Sequence, residues 1–181
     1  KISGQMNLIG FAVKEEATLT TLTLDIVKSS EIEGEQLDYE QVRSSIARRL
    51  GMDIAGLVPS NRNIEGVVEM ILDATQNYEQ PLTDERLFGW HSALFPSGRS
   101  GMYKIETGRY RSGEMQVVSG AMGKQKIHYE AVAPELVKIE MDKFLEWFNN
   151  EREIDLVLKA AIAHFWFIII HPFDDGNCRI A

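Results

Sequence analysis

A chain of 181 residues with 44% hydrophobic and 25% charged side chains has the make-up of one packed globular domain, with room for a helical appendage. Its net charge of -8 and pI near 5.1 exclude a broad nucleic-acid surface, which needs clustered Lys and Arg, but leave local phosphate sites open. A single cysteine, Cys178, excludes an internal disulfide, and no secretory signal or membrane-length apolar run (about 20 residues) is visible, so a cytoplasmic, reducing setting without membrane partners is expected.

The pattern is mostly helical. From Thr18 to Glu33, Leu19, Leu22 and Ile26 recur at three- and four-residue steps, and Gly34 follows as a C-terminal cap. Asp38 with Gln41 resembles a capping box and opens a helix through Val42, Ile46 and Leu50 that stops at Gly51. Ile64, Val67, Val68, Ile71 and Leu72 mark another helix, ended near Pro81. Thr83 caps the next, which carries Leu87, Trp90, His91 and Leu94. Phe95 to Ala133 lacks a helical period, and within it Met115–Ser119 and Lys126–Glu130 read as a small β-hairpin. Pro134 suits a first helical turn, after which Val137, Met141, Phe144, Leu145 and Phe148 form an inner stripe. A last apolar helix, about Ile154 to Ile170, is expected to be buried, with His164 as a satisfied core residue; it runs straight into His171. His91 is expected in the core, His128 exposed, and Trp90, Trp147 and Trp166 in packing.

The chemistry concentrates in His171-Pro172-Phe173-Asp174-Asp175-Gly176-Asn177-Cys178-Arg179. An imidazole with a free pKa near 6.5, held at a helix end, suits proton abstraction at neutral pH. Asp175 is a hard oxygen ligand suited to Mg²⁺, which shares its shell with waters and substrate phosphates. Gly176 and Asn177 tolerate unusual backbone angles and can turn successive N–H groups toward an anion, helped by a helix starting near Asn177. Arg179 adds a forked phosphate donor. Base, metal ligand, anion cradle and arginine together suit phosphoryl or nucleotidyl transfer. No Ser–His–Asp order and no zinc spacing is evident.

These residues closely resemble the Fic signature, HPFx[D/E]GNGRxxR, matching it in spacing through the first arginine; Leu82–His91 and Gly101–Val118 also look like the family's core. The resemblance implies a mainly α, Fic-type helical bundle with a small β-hairpin flap, acting as an adenylyltransferase. His171 would deprotonate a Ser, Thr or Tyr hydroxyl of a protein target, which attacks the α-phosphate of ATP. Asp175 would hold Mg²⁺, and Gly176, Asn177, Cys178 and Arg179 would line the phosphates. The hairpin from Val117 to Tyr129, with Val117, Val118, Ile127 and His128 at its centre, would dock an extended segment of the target by strand addition. A homodimer is one assembly found in the family.

Ser29-Ser30-Glu31-Ile32-Glu33-Gly34 also resembles the family's inhibitory motif, [S/T]xxxE[G/N]. Ser29 and Glu33 are four apart, so they share a helical face. The resemblance implies that Glu33 pairs with the signature's second arginine and displaces the γ-phosphate. Two departures stand out. Cys178 replaces the signature's usual glycine; related Doc-type enzymes carry lysine there and phosphorylate instead, so a Fic-fold kinase and an impaired interaction module stay open. The second arginine would follow Ala181, so the sequence reads as cut, with a helical region over residues 1–80, its inhibitory helix at about 18–34, and a catalytic domain over 81–181.

Overall fold

The computed structural model describes residues 11–53, 55–119 and 126–181. The chain forms two compact units, Lys1–Gln76 and Asn77–Ala181. The fold is mainly α, as the sequence implies.

Among the described residues, the first unit holds three helices: α1 (Phe11–Ile32), α2 (Tyr39–Arg49) and α3 (Arg62–Gln76). Leu19 and Ile26 on α1 are fully buried, as are Val42 and Ile46 on α2 and Val68 on α3, so the three helices close a core with their apolar stripes. Helix α1 starts well before the expected Thr18. Asp38 caps α2 by accepting from the Gln41 N–H at 2.9 Å, but the capping box is only half formed. The Gln41 side chain turns instead to the Asn61 N–H at 3.2 Å, which carries the chain toward α3.

The second unit holds α4 (Asp84–Leu94), the hairpin β1 (Arg99–Ser100) with β2 (Tyr103–Lys104), and the hairpin β3 (Gln116–Ser119) with β4 (Lys126–Glu130). Helices α5 (Pro134–Asn150), α6 (Leu156–Ile170) and the single turn α7 (Asn177–Ile180) follow. Both hairpins are antiparallel, and the second carries an irregularity between Val117 and Val118. The strands at Val117, Val118, Ile127 and His128 form where the sequence expects them, while the turn at 120–125 lies outside the described residues, as does the exposure expected for His128.

The core here joins Leu87 of α4, Val137, Met141 and Phe144 of α5, Phe167 and Ile170 of α6, and Phe173 of the loop beyond. Phe148, expected on the inner stripe of α5, is only partly buried against it, as are all three tryptophans. Asn149 ties α5 to the start of the unit through paired bonds to the Leu82 main chain, at 2.9 and 2.8 Å. Asp155 caps α6 on the Val157 and Leu158 N–H groups.

Two expectations are corrected. Helix α6 is buried along one stripe only, Ala163, Phe167 and Ile170, while Leu156, Val157, Leu158 and Phe165 lie exposed. A run broken only by Lys159 and His164 carries too little period to say which faces are covered. His164 sits on the exposed side of α6 and is not a core residue.

Candidate active site

The site is built where α6 stops. His171 closes the helix as its C-cap in the left-handed region (φ 51, ψ 61), the only positive-φ residue other than glycine among the described residues. This conformation costs a β-carbon-bearing residue on the order of 1 kcal/mol and persists only where the surroundings enforce it. Here they do. The His171 N–H donates to the Phe167 carbonyl at 2.9 Å, and the Arg111 Nε donates to the His171 carbonyl at 2.7 Å.

The His171 ring is part-buried where the helix ends. Burial pushes its pKa below the ordinary imidazole value, and the Arg111 guanidinium adds to this. The Ile168 carbonyl and the Asp175 carboxylate oppose it. The lowered pKa favours the neutral imidazole, which has a lone pair to give.

The loop that follows is braced from within. Asn177 is 2% exposed, and its side chain spans the turn: Oδ1 accepts from the Phe173 N–H at 2.9 Å and Nδ2 donates to the Phe173 carbonyl at 2.8 Å. Its side-chain amide is therefore occupied in holding the loop, a bracing role separate from the backbone N–H groups expected to face an anion. Gly176 takes φ 76 at the start of α7, and its N–H donates to Asp175 Oδ1 at 2.6 Å. A Cβ at this position would lie 2.8 Å from the Phe95 ring, so glycine is required by both space and angle. Cys178 is exposed, and the Arg179 guanidinium lies 4.7 Å above the Phe95 ring.

The loop is also held from outside by residues that sequence reasoning gave no site role. His91 of α4 is completely buried and stacks on Phe173, with ring centroids 4.2 Å apart and planes at 10°. Its Nδ1 accepts from the Gly108 N–H at 3.2 Å, which puts the ring proton on Nε2, 3.2 Å from the Asp175 carbonyl oxygen. Burial keeps His91 below the usual imidazole pKa. Ser100 of β1 donates its hydroxyl to Asp175 Oδ2, and Asp174 Oδ2 accepts from the Glu106 N–H at 2.8 Å. Arg111 is 3% exposed and reaches four carbonyls around the site.

Among the described residues no three or more His, Cys, Asp or Glu side chains gather as a metal cage. The arrangement still fits Mg²⁺, because that ion is commonly bound through one carboxylate together with substrate phosphates. Asp175 is part-buried, with its two oxygens held in place by a hydroxyl and a backbone N–H.

In the first unit, Ser29 lies on the exposed side of α1. Glu33 is exposed just past the helix end, and Gly34 takes φ 81. The turn there is closed by the Ser30 carbonyl, which accepts from the Glu33 and Glu35 N–H groups at 3.1 and 2.9 Å.

A mainly helical unit that presents a histidine and a glycine-turned loop at the end of α6 defines a class, and comparison with known proteins gives that class its family. Residues 81–181 match the Fic/DOC family, and residues 1–52 match a domain of unknown function, DUF4172. The chain belongs to the Fic/DOC family. It is 35% identical over 79 residues to the protein adenylyltransferase fic-1 of Caenorhabditis elegans, covering 42% of this chain and 14% of that protein. It is 39% identical over 71 residues to a probable protein adenylyltransferase of Aquifex aeolicus, covering 39% of this chain and 20% of that one. A crystal structure of a Fic domain containing signaling protein from Bacteroides thetaiotaomicron superposes with a TM-score of 0.63 at 25% identity, covering 89% of this chain and 59% of that one. The chain thus spans less than two thirds of the length of each of these proteins. No helix among the described residues is long and apolar enough to cross a membrane.

Proposed function

We propose that this chain is a protein adenylyltransferase that moves AMP from ATP to a Ser, Thr or Tyr hydroxyl of a target protein. The observation that carries the reading is His171. Burial favours its neutral form, and its backbone is held in the left-handed turn that ends α6, just before a glycine-turned loop. The adenylyltransferase names of the relatives support the same reaction.

In this reading the acceptor nitrogen of His171 takes the hydroxyl proton as the oxygen attacks the α-phosphorus. The new O–P bond forms as the bond from the α-phosphorus to the bridging oxygen breaks, and pyrophosphate leaves with that electron pair. Asp175 holds Mg²⁺, which when bound offsets charge on the phosphate chain. Arg179 adds a cation for the phosphates; Gly176, Asn177 and Cys178 form the turn that shapes their cradle. The β3–β4 hairpin serves as the edge on which the target strand docks. Ser29, Glu33 and Gly34 form the inhibitory element, with the Glu33 carboxylate presented just past the end of α1.

Incubation of the intact protein with ATP labelled at the α- or the γ-phosphate tests this. Transfer of α-label, lost in His171→Ala, is the expected result. Transfer of γ-label would make the protein a kinase of the Doc type, a reading prompted by Cys178. Transfer of neither label would leave a binding module.

A further inference from the structure

Four consecutive carbonyls at the end of α6, from Ile169 to Pro172, are each met by a donor. The Tyr129 hydroxyl takes Ile169. Arg111 takes the remaining three: its guanidinium donates to Ile170 at 3.4 Å and to His171 at 2.7 Å, and its main-chain N–H donates to Pro172 at 2.8 Å. The same guanidinium donates to the Gly113 carbonyl at 2.7 Å and to the Val132 carbonyl. Gly113 lies just before β3 and Val132 just after β4, so one side chain grips both feet of the hairpin.

We propose that Arg111 is a positioning residue that locks the β3–β4 hairpin and the His171 turn into a single cooperative unit. Its value for catalysis rests on reading His171 as the base and the hairpin as the target's docking edge. A base and a docking strand that move independently lose the alignment on which proximity depends. A cation sealed from water needs every donor satisfied, and carbonyls at a helix C-terminus, where the dipole is negative, are suited to it. Only a planar fork with five donors can reach acceptors on both sides; the single ammonium of lysine cannot. Tyr129, on β4, adds a second tie from the hairpin to the same helix end.

Native-state hydrogen exchange on the intact parent protein tests the lock. The Arg111 Nε–H, the hairpin amides and the His171 amide should open together, with one shared dependence on urea. Opening at separate urea dependences, or an Arg111 Nε–H that exchanges as fast as that of exposed Arg62, would overturn the proposal. In Arg111→Lys, exchange of the hairpin amides should quicken by roughly 10- to 100-fold, the range for one lost charged hydrogen bond. Exchange of the His171 amide should quicken by a similar factor, while the amides of α2 stay as in the parent. A change in only one of the two places, or in neither, would refute it. Should Arg111→Lys fail to fold, the parent measurements alone decide the matter. No readout here depends on AMP transfer, so a parent that transfers no label would sink the functional reading and leave the lock standing.

Discussion

Gly176→Ala is the sharpest probe of how the loop is built. The substitution acts twice. The residue sits at φ 76, where an L side chain costs about 1–2 kcal/mol, and the new Cβ would lie 2.8 Å from Phe95 Cε2, 3.2 Å from Cζ and 3.6 Å from Leu94 Cδ1. The Phe95 ring has little room to yield. It is 6% exposed, packs edge-on to His91 with centroids 5.2 Å apart, and carries the Arg179 guanidinium on its face. Overpacking at such a place costs about 1–3 kcal/mol. The lower unfolded-state entropy of alanine returns about 0.4–1 kcal/mol. The net loss is then about 2–4 kcal/mol, read as a fall in the urea midpoint with an unchanged slope. A fitting control is Gly89→Ala, within α4, where nothing lies within 4 Å of the added Cβ. It should stabilise by about 0.5–1 kcal/mol. If the two variants lie within about 0.5 kcal/mol of each other, the packing of Phe95 against the loop is not what holds Gly176 there.

Three further outcomes are expected. Burial keeps both His91 and His171 below the ordinary imidazole value, so the unfolded chain takes up protons first as pH falls below about 6.5. Stability should therefore be full above that pH and decline below it, by at most about 1.4 kcal/mol per pH unit for each group, until the lower folded pKa values are reached. In His91→Gln the slope of urea stability against pH should become shallower; an unchanged slope would remove His91 as a contributor. Tyr110→Phe deletes a half-buried hydroxyl that donates to Asp84, a carboxylate also paired with Lys138 at 3.1 Å. It should cost about 1–2 kcal/mol in urea unfolding, and a cost under about 0.3 kcal/mol would show that Lys138 alone satisfies Asp84. Glu33→Gly should raise transfer of α-label from ATP; equal activity in variant and parent would end the inhibitory reading.

What could be read from the residues was what is local. Asp38, Thr83 and Pro134 mark helix starts because caps and fixed φ angles act within three residues, and each stands at its helix N-terminus. The site loop was legible because glycine and asparagine signal a turn, and both histidine and arginine fall inside nine residues. Even there the division of labour was hidden: the Asn177 amide braces Phe173, a contact between residues four apart that spacing cannot distinguish from a phosphate contact. The two-residue strands β1 and β2 are too short for alternation to show.

Arg111 and His91 were not legible as site residues at all. A lone arginine in a Gly- and Ser-rich stretch reads as surface, and nothing local separates it from Arg109, which is exposed and pairs with Glu106 at 3.0 Å. The acceptors that define Arg111 lie 2, 21, 59 and 60 positions away. The partners that define His91, the Gly108 N–H and the Asp175 carbonyl, lie 17 and 84 positions away. Burial of His91 could be expected from its helix face, but its bond to the main chain of Asp175 belongs to tertiary structure.

That division has a physical cause in the way α6 ends. Helices commonly stop with a glycine in the left-handed region, which costs nothing and needs no support. Here the residue at that point must carry an imidazole, so the strain cannot be relieved by composition and has to be met by contacts. Arg111 and Tyr129 supply them, satisfying the Ile169, Ile170 and His171 carbonyls. His171→Gly separates the two demands. It should relax the turn by about 1 kcal/mol and give back a similar amount in unfolded-state entropy, leaving stability within about 1 kcal/mol of the parent while label transfer is lost. A large loss of stability in that variant would mean that the imidazole itself holds the helix end together, and that the left-handed turn is not a strain imposed on it by its surroundings.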